Sequence, residues 1–162
     1  MRRAAFTLVE VVVSVVVLGV VAAVTLPVVG GVTNAFSAAV GVRERTERVA
    51  FALDRCVRLL REAPAGSDAS TVGITTASSS QVLLSDGRGL EVSGGVLLLR
   101  TGSSTAPLCR NVTAFTITYL GTDGVTSTLA APAGTHCFRI ALVADGVTLA
   151  GAAFPRCRMI KP

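Results

Sequence analysis

The sequence predicts an α+β chain: a long N-terminal helix, transmembrane and then amphipathic, packed on an antiparallel β-sheet head. Three observations predict it. Val11 to Val32 carries no charge, the segment 33–63 is rich in arginine and carboxylates, and from Thr71 onward the hydrophobic period drops toward two between Asp-Gly and Gly-Gly pairs. The chain's 162 residues allow one domain of ordinary size plus an appendage. Its 51% apolar content is concentrated at one end, so two different solvents are addressed.

The 22 residues from Val11 to Val32 would span about 33 Å as a helix, the thickness of a bilayer's hydrocarbon core. Their β-branched side chains are mediocre helix formers in water. In lipid that preference matters little, because a helix satisfies its backbone internally. A buried strand pair would need a turn signal that the run lacks. Arg2 and Arg3 precede it, which holds the N-terminus in the cytoplasm and sends the remainder outside. Glu10 stands at the mouth of the span, where a carboxylate is costly without a partner and marks function.

Pro27 removes an amide, and with Gly30 and Gly31 it makes a stretch where the helix can bend or loosen. Helical periodicity then resumes. Phe36, Val40, Val42, Val49, Leu53, Cys56 or Val57, and Leu60 form one apolar stripe, with Arg43, Arg45, Arg48, Arg55, Arg58 and Arg61 mostly on other faces. Pro64 and Gly66 end it. The arginines leave nucleic acid open as a partner. Glu44, Glu47, Asp54 and Glu62 are interspersed, however, and no aromatics interleave for stacking, which favours a solvated or inter-subunit face.

Strands are expected at Thr71–Thr75, Gln81–Ser85, Gly89–Val92, Val96–Arg100, Val112–Tyr119, Val125–Leu129, Cys137–Ala144 and Val147–Ala153. Phe115, Ile117 and Tyr119 alternate with Thr116 and Thr118, and Phe138, Ile140 and Leu142 with Arg139 and Ala141. Asp86-Gly87, Gly94-Gly95, Asp123-Gly124 and Asp145-Gly146 supply the hairpin turns. Strand follows strand with no helix between, so the sheet is antiparallel and packs against the helix.

The net charge of +5 falls by two without Arg2 and Arg3, so no acidic partner is required. Cys56, Cys109, Cys137 and Cys157 all lie beyond the apolar run, which on an exported head favours two disulfides, with three pairings open. A hairpin centred on Asp145-Gly146 sets Cys137 roughly opposite Phe154, which favours Cys137–Cys157 and, by elimination, Cys56–Cys109. A tetrahedral metal site is the alternative, but no CxxC spacing occurs and His136 is the sole histidine. The turn aspartates are too scattered for calcium. Ser78, Ser79 and Ser80 lack a nucleophile-elbow context, and no carboxylate pair stands out. Neither catalysis, a cofactor nor a metal is expected.

The stretch Arg3-Ala-Ala-Phe-Thr-Leu-Val-Glu-Val-Val-Val-Ser resembles the processing motif of type IV prepilins and of the pseudopilins of type II secretion and competence systems. The resemblance implies a cut between Ala5 and Phe6, N-methylation of Phe6, an assembly role for Glu10, and a match of Pro27 to the proline that members carry partway along the helix. Ala5 departs from the glycine usual before the cut. A signal-peptide site after Val21-Ala22-Ala23, or a twin-arginine leader from Arg2-Arg3, reads the same segment less completely. Val112-Thr-Ala-Phe115 through Tyr119 and on to Asp123-Gly124 resembles the strand and turn of J-type pseudopilins and PilW-like minor pilins.

The implied divisions are a leader at 1–5, a transmembrane and filament-core helix at 6–32, an amphipathic helix at 33–63, and a pilin-like head at 64–162. The implied function is a minor pilin or pseudopilin anchored once in the inner membrane with its head outside the cytoplasm. Its partners would be a prepilin peptidase and N-methyltransferase, other subunits, an assembly platform and the bilayer. A membrane-anchored extracytoplasmic binding module that never polymerises is the alternative, and only the filament subunit needs a free amine at Phe6.

Overall fold

A computed structural model describes residues 7–68 and 70–158, so Ala5 and Phe6 lie outside the described residues. The chain divides into two compact units, Met1–Arg43 and Glu44–Pro162. Helix α1, Leu8–Arg61, is assigned without interruption through Pro27, Gly30 and Gly31, where softening is expected. One missing amide leaves the flanking hydrogen bonds intact, so a proline need not end a long helix.

Within the unit Glu44–Pro162, α1 buries Val49, Ala52, Cys56, Leu59 and Leu60, and Leu53 and Val57 are packed against the same core. Those positions recur at three- and four-residue spacing, one face of a helix. Phe36, Val40 and Val42, expected on that stripe, are 71%, 40% and 60% exposed. They belong to the unit Met1–Arg43, which has no strand among its described residues.

Among the described residues eight strands form two antiparallel sheets rather than one. The first is a meander of β1 (Ile74–Ala77), β2 (Gln81–Leu84), β3 (Arg88–Ser93), β4 (Val96–Thr101) and β5 (Ser104–Cys109). The second holds β6 (Val112–Leu120), β7 (Cys137–Ala144) and β8 (Val147–Ala153). The break falls at Arg110-Asn111, where Asn111 takes φ 55° and turns the chain out of the first ladder. The sheets are tied by the Val112 amide to the Gly95 carbonyl at 2.9 Å, the Ile117 amide to the Ser79 carbonyl at 2.7 Å and the Tyr119 hydroxyl to the Gln81 carbonyl at 3.0 Å.

Strands β7 and β8 have the expected bounds. Phe138, Ile140, Leu142 and Ala144 point inward, while Asp145 (φ 51°) and Gly146 (φ 77°) close the two-residue turn. The first expected strand shifts from Thr71–Thr75 to Ile74–Ala77. The strand expected at Val125–Leu129 is instead a loop with one isolated bridge, Leu120 to Ser127. Asp123 explains it: its Oδ1 accepts the amides of Val125 (3.1 Å) and Thr126 (2.9 Å), and its Oδ2 accepts the Thr126 hydroxyl. Those amides cannot also serve a ladder. Strand β5 was not anticipated, because Ser104 to Pro107 are exposed and Pro107 donates no amide, which an edge strand tolerates.

The helix packs closely on the second sheet at Gly151 of β8. A Cβ added there would stand 3.1 Å from Val57 Cγ2 and 3.6 Å from Leu53 Cδ2. Gly151→Val is therefore expected to cost about 1–3 kcal/mol through overpacking. A lowered urea midpoint of the purified chain would show this, and an unchanged midpoint would contradict the close approach.

Candidate functional site

The site with the most built-in chemistry is the start of α1. Thr7 precedes the helix and Glu10 lies in its first turn. The Thr7 amide and hydroxyl donate to Glu10 Oε2 at 3.0 and 2.9 Å, while the Thr7 hydroxyl oxygen accepts the Glu10 amide at 3.4 Å. This reciprocal arrangement is a capping box, which satisfies amides that the first helical turn would leave bare. It also puts a negative charge at the positive end of the helix dipole. The spacing Thr7-Leu8-Val9-Glu10 was the available signal for this cap. Both side-chain bonds use Oε2, so Oε1 takes no part in the cap.

From Leu8 to Val32 every large apolar side chain is exposed, between 51% for Val11 and 83% for Leu8. An 18-residue stretch of the helix has a mean hydropathy of 2.8, and none of it is buried among the described residues. Such a surface is not stable in water at about 25 cal/mol per Å², and lipid or other apolar helices would cover it. The polar residues of the run fit that setting. The hydroxyls of Ser14, Thr25 and Thr33 bond back to the carbonyls of Glu10, Val21 and Val29 at 2.7, 2.9 and 2.8 Å, so none needs water. Pro27 lies inside this segment and leaves the Ala23 carbonyl without its usual amide partner.

In the head, Cys56, Cys109 and Cys137 are buried, Cys157 is packed against the core, and no disulfide joins the cysteines among the described residues. Burial, and then Cys109 beside it, push the Cys56 thiol up to about 12. Burial and the Asp145 carboxylate raise Cys109 as well, against the opposing pull of Arg48. Arg48 and Asp145 are themselves paired at 3.6 Å, and Asp145 Oδ1 accepts the Asn111 side-chain amide at 2.8 Å. This latch between α1 and two turns had no sequence signal beyond the Asp-Gly turn. His136 stacks edge-on to Phe154, with ring centroids 6.2 Å apart. Among the described residues no three His, Cys, Asp or Glu side chains are grouped as a metal site.

Residues 1–26 match the family model described as the prokaryotic N-terminal methylation motif. No curated protein matches the chain. The motif supports a type IV prepilin-like family, and with the one long apolar helix it supports a single-pass membrane anchor.

Proposed function

We propose, from that prepilin-like N-terminus, that the chain is a structural subunit, a minor pilin or pseudopilin, of an envelope filament of the type IV pilus or type II secretion kind. The observation that supports it most is the coincidence of the methylation motif at residues 1–26 with an apolar helix whose large side chains from Leu8 to Val32 are exposed among the described residues. A prepilin peptidase would cut between Ala5 and Phe6 on the cytoplasmic side and methylate the new amine. The subunit would then wait in the inner membrane, head outward. An assembly platform would move α1 from lipid into a filament core, one apolar setting exchanged for another, so the transfer is not prohibitive. Glu10 would attract the Phe6 amine of a neighbouring subunit and set the axial stagger, and Pro27 would adapt the helix to its packed neighbours.

The strand-rich head of two meandering sheets favours the minor or pseudopilin role over a bulk subunit. Fractionation tests the reading. The subunit is expected in the fraction sheared from cells, and to be lost from it when the prepilin peptidase gene is deleted. Retention in membranes alone, with or without the peptidase, would instead support an anchored binding module.

A further inference from the structure

We propose that Cys56 and Cys109 form a disulfide in the exported head, tying the core face of α1 to the end of β5. Cys56 is 0% exposed, between Ala52 and Leu60 on the buried face of the helix. Cys109 is 2% exposed, the last residue of β5, and lies opposite the fully buried Leu97 of β4. Both belong to one core cluster, joining the helix face to the sheet, and Cys109 is among the groups that raise the Cys56 thiol. Strand β5 has reason to need such a tie. It pairs on one side only, its residues Ser104 to Pro107 are exposed, and Cys109 is its one buried residue. A bond there anchors the edge of the five-stranded sheet directly to the helix.

The chemistry is thiol–disulfide exchange. One thiolate attacks a disulfide carried by an envelope thiol oxidase and forms a mixed disulfide. The second thiolate displaces the oxidase sulfur. The two cysteines lose two protons and two electrons, and the oxidase is left as a dithiol. Burial suppresses both thiolates in the closed head, so exchange takes place while the head is still folding after export. A head first folded in the reduced state should therefore resist later oxidation.

The test uses the full-length chain in cells blocked with a thiol alkylator before lysis, followed by non-reducing peptide mapping. A Cys56–Cys109 peptide is expected. In a Cys137→Ala, Cys157→Ala background, reduction should lower the melting midpoint by roughly 10 °C, and should leave it unmoved when Cys56→Ala and Cys109→Ala are added. Cys56 joined to Cys137 or Cys157, or both thiols alkylated in denaturant without prior reduction, would overturn the bond. The inference rests on export of the head, which cleavage by protease added to spheroplasts reads separately. Unlinked thiols on a protease-accessible head overturn the bond alone, whereas a protected head overturns both readings. The same mapping reads Cys137 with Cys157. The observed pairing of Phe138 with Ala153, continued by one residue, sets Cys137 opposite Phe154, three positions from Cys157.

Discussion

Glu10→Gln is expected to reduce recovery of the subunit in sheared filaments by about ten- to hundredfold at matched membrane abundance, the scale of losing one partner of a desolvated charge pair. The substitution separates the observed cap from the proposed registry role of the same side chain. Glutamine at the third helical position still accepts from the Thr7 amide, so the cap survives. The charge does not. If Glu10 only caps its own helix, the variant assembles like the wild type. Thr7→Ala makes the complementary cut, removing the hydroxyl that bonds Glu10 while keeping the carboxylate. Its expected cost is about 1 kcal/mol at the helix end, with filament recovery much less affected than in Glu10→Gln. Equal recovery for wild type and Glu10→Gln would remove the registry role and leave only the cap.

Phe138→Ala is expected to destabilise the head by about 3–5 kcal/mol, a large share of the roughly 5–15 kcal/mol that holds a domain together. Phe138 is 0% exposed on the central strand β7, and its ring meets Tyr119 edge-on, with centroids 5.5 Å apart at 72°. The neighbours on both sides of β7 are held by ladders, so the site cannot collapse freely around the void. A fall in the urea midpoint of the purified chain, with membrane insertion unchanged, is the expected pattern. A shift smaller than about 1 kcal/mol would mean that the core is not packed around this ring.

Strands were legible where side chains alternate strictly. Phe138, Ile140 and Leu142 against Arg139, followed by Asp145-Gly146, specified β7, β8 and their register, because a one-residue slip would expose the whole apolar set. Strand β5 was illegible for the opposite reason: an edge strand with four exposed residues, one of them a proline, has almost no pattern to read. The expected strand at Val125–Leu129 failed because one carboxylate, Asp123, draws the following amides into a turn. The division into two sheets depends on the left-handed conformation of Asn111, which hydropathy does not report. At the candidate site, the sequence marked Glu10 as a carboxylate in need of a partner. The structure supplies one within the same helix turn, in Thr7.

The measurement that bears most directly on the account is the intact mass and N-terminal sequence of the mature subunit isolated from envelopes. Methylation at a new terminus requires that the leader be cut where the motif at residues 1–26 implies. The account predicts a chain beginning at Phe6 and carrying one methyl group on its amine. A mature chain that begins near Ala23, or that retains Met1 in assembled material, would contradict it.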